Sequence, residues 1–148
     1  MSAEGGRVKA DDFGVWSTSA REALDLRLKA LHDGLVELLQ THEVDAVAME
    51  ESYVGADART SLTVGQARGA LLIACASAGV PTSQYPPATI KQTVGGWGRA
   101  DKKQMQRMVA TILGLAAPPT PHHAADALAV AICHAMGSPL LAATGAGR

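Results

Sequence analysis

Leu24, Leu28, Leu31, Leu35 and Leu38 recur at alternating steps of four and three, with charged residues between them. That spacing lays one apolar stripe along a helix. Just ahead, Ser19-Ala20-Arg21-Glu22 has the form of a capping box, in which serine and glutamate each satisfy an orphan amide. Arg7 to Ser17 is expected as one strand with Val8, Phe13 and Val15 as its apolar members, although Asp11-Asp12 breaks the alternation. Val44 to Met49, short and mostly apolar, predicts an inner strand of a parallel sheet, buried on both faces. An irregular stretch from Glu51 to Asp57 leads into a second helix, about Ala58 to Ala78, ended by Gly79. Its Gly65, Gly69, Ala70, Ala74 and Ala78 are small enough for another backbone to come close. Val80 to Tyr85 predicts another strand, and Pro86-Pro87 suits the start of a short helix over Ala88 to Thr93. After the loop Gly95-Gly96-Trp97-Gly98, Asp101 opens a helix with Met105, Met108, Val109, Ile112 and Leu113 on one stripe. Pro118-Pro119-Thr120-Pro121 is a stiff connector into a last helix, His123 to about Met136. Residues 137–148 carry no pattern and are expected as a frayed tail to a domain of residues 1–136.

Strand, helix, strand, helix, strand and then several helices is an α/β order, and it contains no internal repeat. One feature is uncomfortable: a strand as apolar as Val44 to Met49 belongs inside a sheet, yet only two others are in sight. One of its edges lacks a partner, so the chain is expected to be incomplete at its N-terminus. Composition agrees with the α/β reading. Of 148 residues, 47% are hydrophobic but only 3% aromatic, so Leu, Val, Ile and Ala must fill the core. No apolar run has the length of a membrane span, and the N-terminus lacks the apolar segment of a signal peptide. The expected compartment is the cytoplasm, where Cys75 and Cys133, both inside apolar runs, serve as packing residues.

The net charge of −1 is unevenly spread. Between Ala88 and Ala110, Lys91, Arg99, Lys102, Lys103 and Arg107 stand against Asp101 alone. Such an excess is either a solvated face or a footprint for a phosphate backbone. Two acidic signals bear on the choice. Ala48-Met49-Glu50-Glu51 delivers carboxylates at the C-terminal end of an apolar strand, where ligands gather in open α/β sheets. These are either the first solvated residues after the strand or ligands. In Pro121-His122-His123-Ala124-Ala125-Asp126, His123 and Asp126 share a helix face three residues apart. An aspartate there either compensates the helix dipole or, if the helix is packed on both sides, needs a partner or a metal. Oxygen donors with at most one imidazole suit Mg²⁺ or Mn²⁺ more than zinc. Carboxylates from a strand end and a helix start can meet to build a two-metal phosphodiester site.

Ala48-Met49-Glu50-Glu51-Ser52-Tyr53 and Gly65-Gln66-Ala67-Arg68-Gly69 resemble the RuvC family of Holliday-junction resolvases. So do Ile90-Lys91-Gln92-Thr93-Val94-Gly95, Gly98-Arg99-Ala100-Asp101-Lys102-Lys103-Gln104 and His123-Ala124-Ala125-Asp126-Ala127-Leu128-Ala129. The blocks follow the family's order over about Arg7 to Met136. The resemblance implies a ribonuclease-H-like fold, with a mixed sheet flanked by helices. It also implies a homodimer and Mg²⁺-dependent cutting of four-way DNA junctions, with Mn²⁺ as a substitute and two ions in a complete site. A branch-migration helicase complex is the further partner it implies, in the bacterial cytoplasm and away from membranes. Glu50 falls at the family's strand-end catalytic carboxylate and Asp126 at its last one. His123 falls where members carry aspartate or histidine. Tyr53 takes the position of the aromatic beside the exchange point, and Lys91 and Lys102 those of phosphate-contacting lysines. The departure is the absence of Asp-Pro-Gly, whose aspartate is the family's first metal ligand. The chain is therefore expected to lack the family's first two strands. A junction-cutting endonuclease is the first reading, a non-catalytic junction-binding module the second, and another ribonuclease-H-like nuclease acting on RNA the third.

Overall fold

The computed structural model describes residues 1–4, 7–51, 57–96 and 100–145, with side chains to residue 137. Nine elements follow in order: β1 (Ser2–Glu4), β2 (Arg7–Lys9), α1 (Leu24–Thr41), β3 (Val47–Glu50), α2 (Ala58–Ser77), β4 (Thr82–Tyr85), α3 (Pro87–Gly95), α4 (Lys102–Leu113) and α5 (His122–Gly145). β1 and β2 form an antiparallel pair with Ser2 opposite Lys9 and Glu4 opposite Arg7, and β3 pairs with β4 in a second two-stranded sheet. The chain divides into two compact units. One comprises Met1–Val15, Ala48–Glu50 and Gln84–Arg148, the other Trp16–Val47 and Glu51–Ser83.

The second unit is a pair of long helices, α1 packed on α2. The α1 stripe is only partly covered: Leu35 is buried, Leu28 and Leu31 are half-buried, and Leu24 and Leu38 remain exposed. Gly34 lets Trp16 lie close against α1, since a Cβ there would meet the indole at 3.3 Å. The expected capping box does not form. α1 starts at Leu24 behind Ala23, with no side-chain cap, while Ser19 Oγ accepts the Arg21 amide at 3.2 Å. Its carbonyl accepts the Glu22 amide at 3.1 Å. The four residues thus make a turn of their own, separated from the helix by Ala23 alone. α2 is capped as its sequence suggests, with the Asp57 carboxylate accepting from the Arg59 amide at 3.0 Å and from the Thr60 hydroxyl. It ends where Gly79 takes a left-handed φ of 69°.

The first unit holds a continuous core. α4 contributes Met105, Val109 and Leu113, four residues apart and all buried, and α5 contributes Leu128 and Ile132. Burying side chains of this size contributes about 1.5 to 3 kcal/mol each. Val94 from α3 and Tyr85 from β4 close the cluster. The Tyr85 hydroxyl lies 2.7 Å from His134 Nδ1, so the one aromatic of this core has a partner for its polar tip. Aliphatic packing thus carries the core, as the composition requires.

Other differences from expectation have local causes. The strand expected over Arg7 to Ser17 stops at Lys9, because Asp12 turns back to accept the Phe13 amide at 2.8 Å. Phe13 and Val15 are left exposed. Ahead of it lies β1, a strand the apolar pattern does not announce. β3 is half-buried at Val47, Ala48 and Met49, not buried on both faces, since β4 is its one partner among the described residues. α5 continues past Met136 to Gly145. Among the described residues no helix is long and apolar enough to cross a membrane.

Candidate active site

The C-terminal end of β3 places Glu50 in the first unit, where α3, α4 and α5 surround it with a cleft of about 320 Å³. α3 brings Lys91, the start of α4 brings Asp101 and Lys102, and the N-terminal part of α5 brings Asp126. The cleft has an apolar lining as well, including Ile90, Met105, Ala129 and Val130. The two acidic signals of the sequence, 76 positions apart, thus open into one space.

α5 explains how Asp126 comes to face the cleft. Ala124, Ala125, Leu128 and Ala129 are buried, while His123 and Asp126 point outward. The idea that Asp126 is enclosed by packing is therefore corrected: its side chain is 47% exposed, and none of the described buried residues is charged. What places Asp126 in the site is its neighbours across the cleft. Lys102 Nζ lies 3.7 Å from Asp126 Oδ2, and His123 Nδ1 lies 3.9 Å from the same oxygen. The His123 ring also lies against His122, with centroids 4.0 Å apart and planes tilted by 43°. His123 is not part of the cleft wall and meets the site through Asp126. Glu51 does not line it either.

α4 begins with a capping box that sequence reasoning missed. Asp101 Oδ1 accepts the Gln104 amide at 2.8 Å, and Gln104 Oε1 accepts the Asp101 amide at 2.9 Å. The signal was available in Asp101-Lys102-Lys103-Gln104, a cap residue followed three positions later by glutamine. Asp101 therefore reaches the cleft wall with its carboxylate already engaged. Tyr53 and Arg99 lie outside the described residues.

Glu50 and Asp126 are hard oxygen donors, and a cleft with two of them fits a hard divalent ion better than a thiophilic one. Among the described residues no group of three or more His, Cys, Asp or Glu side chains gathers as a metal cage. The donor set fits a hard divalent ion, and Lys91 and Lys102 stand in the same cleft.

A strand-end carboxylate and a helix-start carboxylate beside lysines suit the class of metal-dependent phosphodiester-cutting enzymes. A family model described as crossover junction endodeoxyribonuclease RuvC matches residues 1–134, and the chain belongs to the RuvC family. It is 47% identical over 138 residues to the crossover junction endodeoxyribonuclease RuvC of Chloroflexus aggregans, covering 93% of this chain and 84% of that protein. To the Syntrophomonas wolfei protein of the same name it is 48% identical over 134 residues, covering 90% and 78%. The solved structure of Thermus thermophilus RuvC in complex with Holliday junction substrate superposes with a TM-score of 0.85 at 34% identity, covering 94% of this chain and 85% of that one.

Proposed function

We propose that this chain is a crossover junction endodeoxyribonuclease, which binds four-way DNA junctions and resolves them by paired, metal-dependent nicking. The observation that carries the reading is the meeting of Glu50 and Asp126 in one cleft flanked by Lys91 and Lys102. Glu50 and Asp126 hold Mg²⁺ or Mn²⁺. When bound, the metal would supply Lewis-acid stabilisation of charge on the scissile phosphate. Lys91 and Lys102 hold phosphate oxygens of the strand to be cut. His123 carries a proton at its imidazole or joins Asp126 as a ligand. Tyr53 stacks on a base opened at the crossover. Water attacks phosphorus and the 3′ oxygen leaves, giving a 5′ phosphate and a 3′ hydroxyl.

Paired nicks need two sites, and this chain works as a homodimer. α2 supports that: Leu62 and Ile73, 64% and 62% exposed, share a helix face with Gly65 and Gly69, whose Cβ positions are open. A glycine inside an exposed helix costs about 1 kcal/mol against alanine, a cost that close approach by another helix explains. The further partner is a branch-migration helicase complex, in the bacterial cytoplasm. A second reading, a junction-binding module that does not cut, is favoured because no group of three or more His, Cys, Asp or Glu side chains gathers to hold a metal among the described residues.

The test is a nicking assay on a synthetic four-way junction in Mg²⁺, with binding followed in Ca²⁺. Asp126→Asn should abolish cutting and leave binding nearly intact, since asparagine keeps the shape and loses the charge. Lys91→Ala should weaken binding and reduce the log–log salt slope by about 0.9. Binding without cutting by the unaltered chain selects the second reading; no preference for junctions over duplex rejects both.

A further inference from the structure

Lys102 and Lys103 open α4, at the end of a helix where unpaired amides already present positive charge. The capping Asp101 is the one carboxylate at this helix start, and the first turn behind it holds none, so two lysines there add to the positive end of the helix. Lys102 answers to a different helix: its Nζ lies 3.7 Å from Asp126 Oδ2, with the two side chains 56% and 47% exposed. The carboxylate next to it in sequence, Asp101, is engaged with the Gln104 amide. His123 Nδ1 stands 3.9 Å from the same Asp126 oxygen. One oxygen of a carboxylate suited to a divalent ion therefore already has a cation of the protein's own beside it.

We propose that Lys102 is the resident counter-ion of Asp126, which a divalent ion must displace, so that metal loading and DNA docking are coupled through this one side chain. An ammonium group and a metal ion at the same oxygen repel each other at short range, and one excludes the other. Lysine can leave, because its charge sits on a flexible four-carbon stem. A DNA phosphate at the cleft offers the ammonium a new partner, and Asp126 is then released for the metal. By linkage, each ligand tightens the other by the same factor. Lys102 thus does more than add to phosphate affinity: it keeps the metal site partly closed until substrate arrives. The inference takes from the proposed function that Asp126 is a metal ligand and that DNA phosphate docks at this cleft.

Binding of Mn²⁺ alone to the full chain, measured by calorimetry or by the loss of the free-ion paramagnetic resonance signal, tests it without cleavage. Without DNA, Lys102→Gln should bind Mn²⁺ about two- to five-fold more tightly, the range an exposed ion pair carries. Lys102→Arg should restore the weaker binding of the unaltered chain. Lys91→Gln removes a charge from the same cleft, but Lys91 is not the cation 3.7 Å from Asp126, so its effect should be clearly smaller. Adding a four-way junction should tighten Mn²⁺ binding by about two- to five-fold less in Lys102→Gln than in the unaltered chain. Unchanged or weaker Mn²⁺ binding by Lys102→Gln overturns the counter-ion and leaves the metal site standing. So does an equal gain from Lys91→Gln, which would mark a general field effect. An unaltered chain that takes up no Mn²⁺ removes the metal reading of Glu50 and Asp126, and the counter-ion with it.

Discussion

At the scale of single residues, what a side chain can do here follows from what surrounds it more than from its type. Cys75 is fully buried in α2, and burial pushes its thiol above the usual cysteine range. A buried thiol that stays protonated is a poor nucleophile. Cys75 should therefore resist alkylation in the native protein and react once the chain is unfolded in denaturant; mass spectrometry of the modified peptide reads this directly. Rapid native modification of Cys75 would mean that α2 opens on its own. The site residues show the same dependence on surroundings. Glu50, Asp126, Lys91 and Lys102 stand out in the sequence as candidates because each lies at a strand end, at a helix start or in a cationic stretch, and all four line one cleft. That His123 reaches the site only through Asp126 was not legible, since i and i+3 spacing fixes a shared face but not which residue points into a cleft.

At the scale of elements, the long stripes were the most readable part of the chain. Leu24 to Leu38 and Met105 to Leu113 each repeat over several turns, and both are helices where the spacing puts them. Short signals were weaker. Ser19 to Glu22 has the letters of a capping box but the helix behind it is capped at Ala23, whereas Asp101 stands at the N-cap itself. The β1–β2 pair was missed because three-residue strands leave no alternation to count, although Gly5-Gly6 between them is a hairpin signal. The Asp57 cap of α2 carries a pH dependence. The Thr60 hydroxyl and the Thr60 and Arg59 amides lower its carboxyl from the ordinary 3.8. A carboxyl depressed on folding stabilises fully above its unfolded value, and that contribution is lost as pH falls through the folded value. Acidification below about pH 4 should thus weaken α2 in the unaltered chain. Asp57→Asn, which still caps, should be close to neutral at pH 7 and lose this part of the acid dependence. Helix content followed by circular dichroism from pH 7 downward separates the two, and identical acid profiles would show that the cap contributes nothing to it.

At the scale of the whole molecule, the face of α2 that carries Leu62, Gly65, Gly69 and Ile73 is where self-association should be tested. Ile73→Asp puts a charge where the single chain already exposes 62% of the residue, so the fold should tolerate it. Sedimentation should show a dimer for the unaltered chain and a monomer for the variant; a dimer in both would place the contact elsewhere. The division of the chain into two units has a consequence in time. The helix pair of the second unit is nearly continuous in sequence, ending at Ser83, whereas the first unit is assembled from three separated stretches. As the ribosome releases the chain, α1 and α2 have all they need well before α5 exists. Asp126 emerges 76 residues after Glu50, a delay of roughly 4 to 15 seconds at ordinary rates of synthesis. The cleft that brings the two carboxylates together is therefore among the last things the growing chain can make.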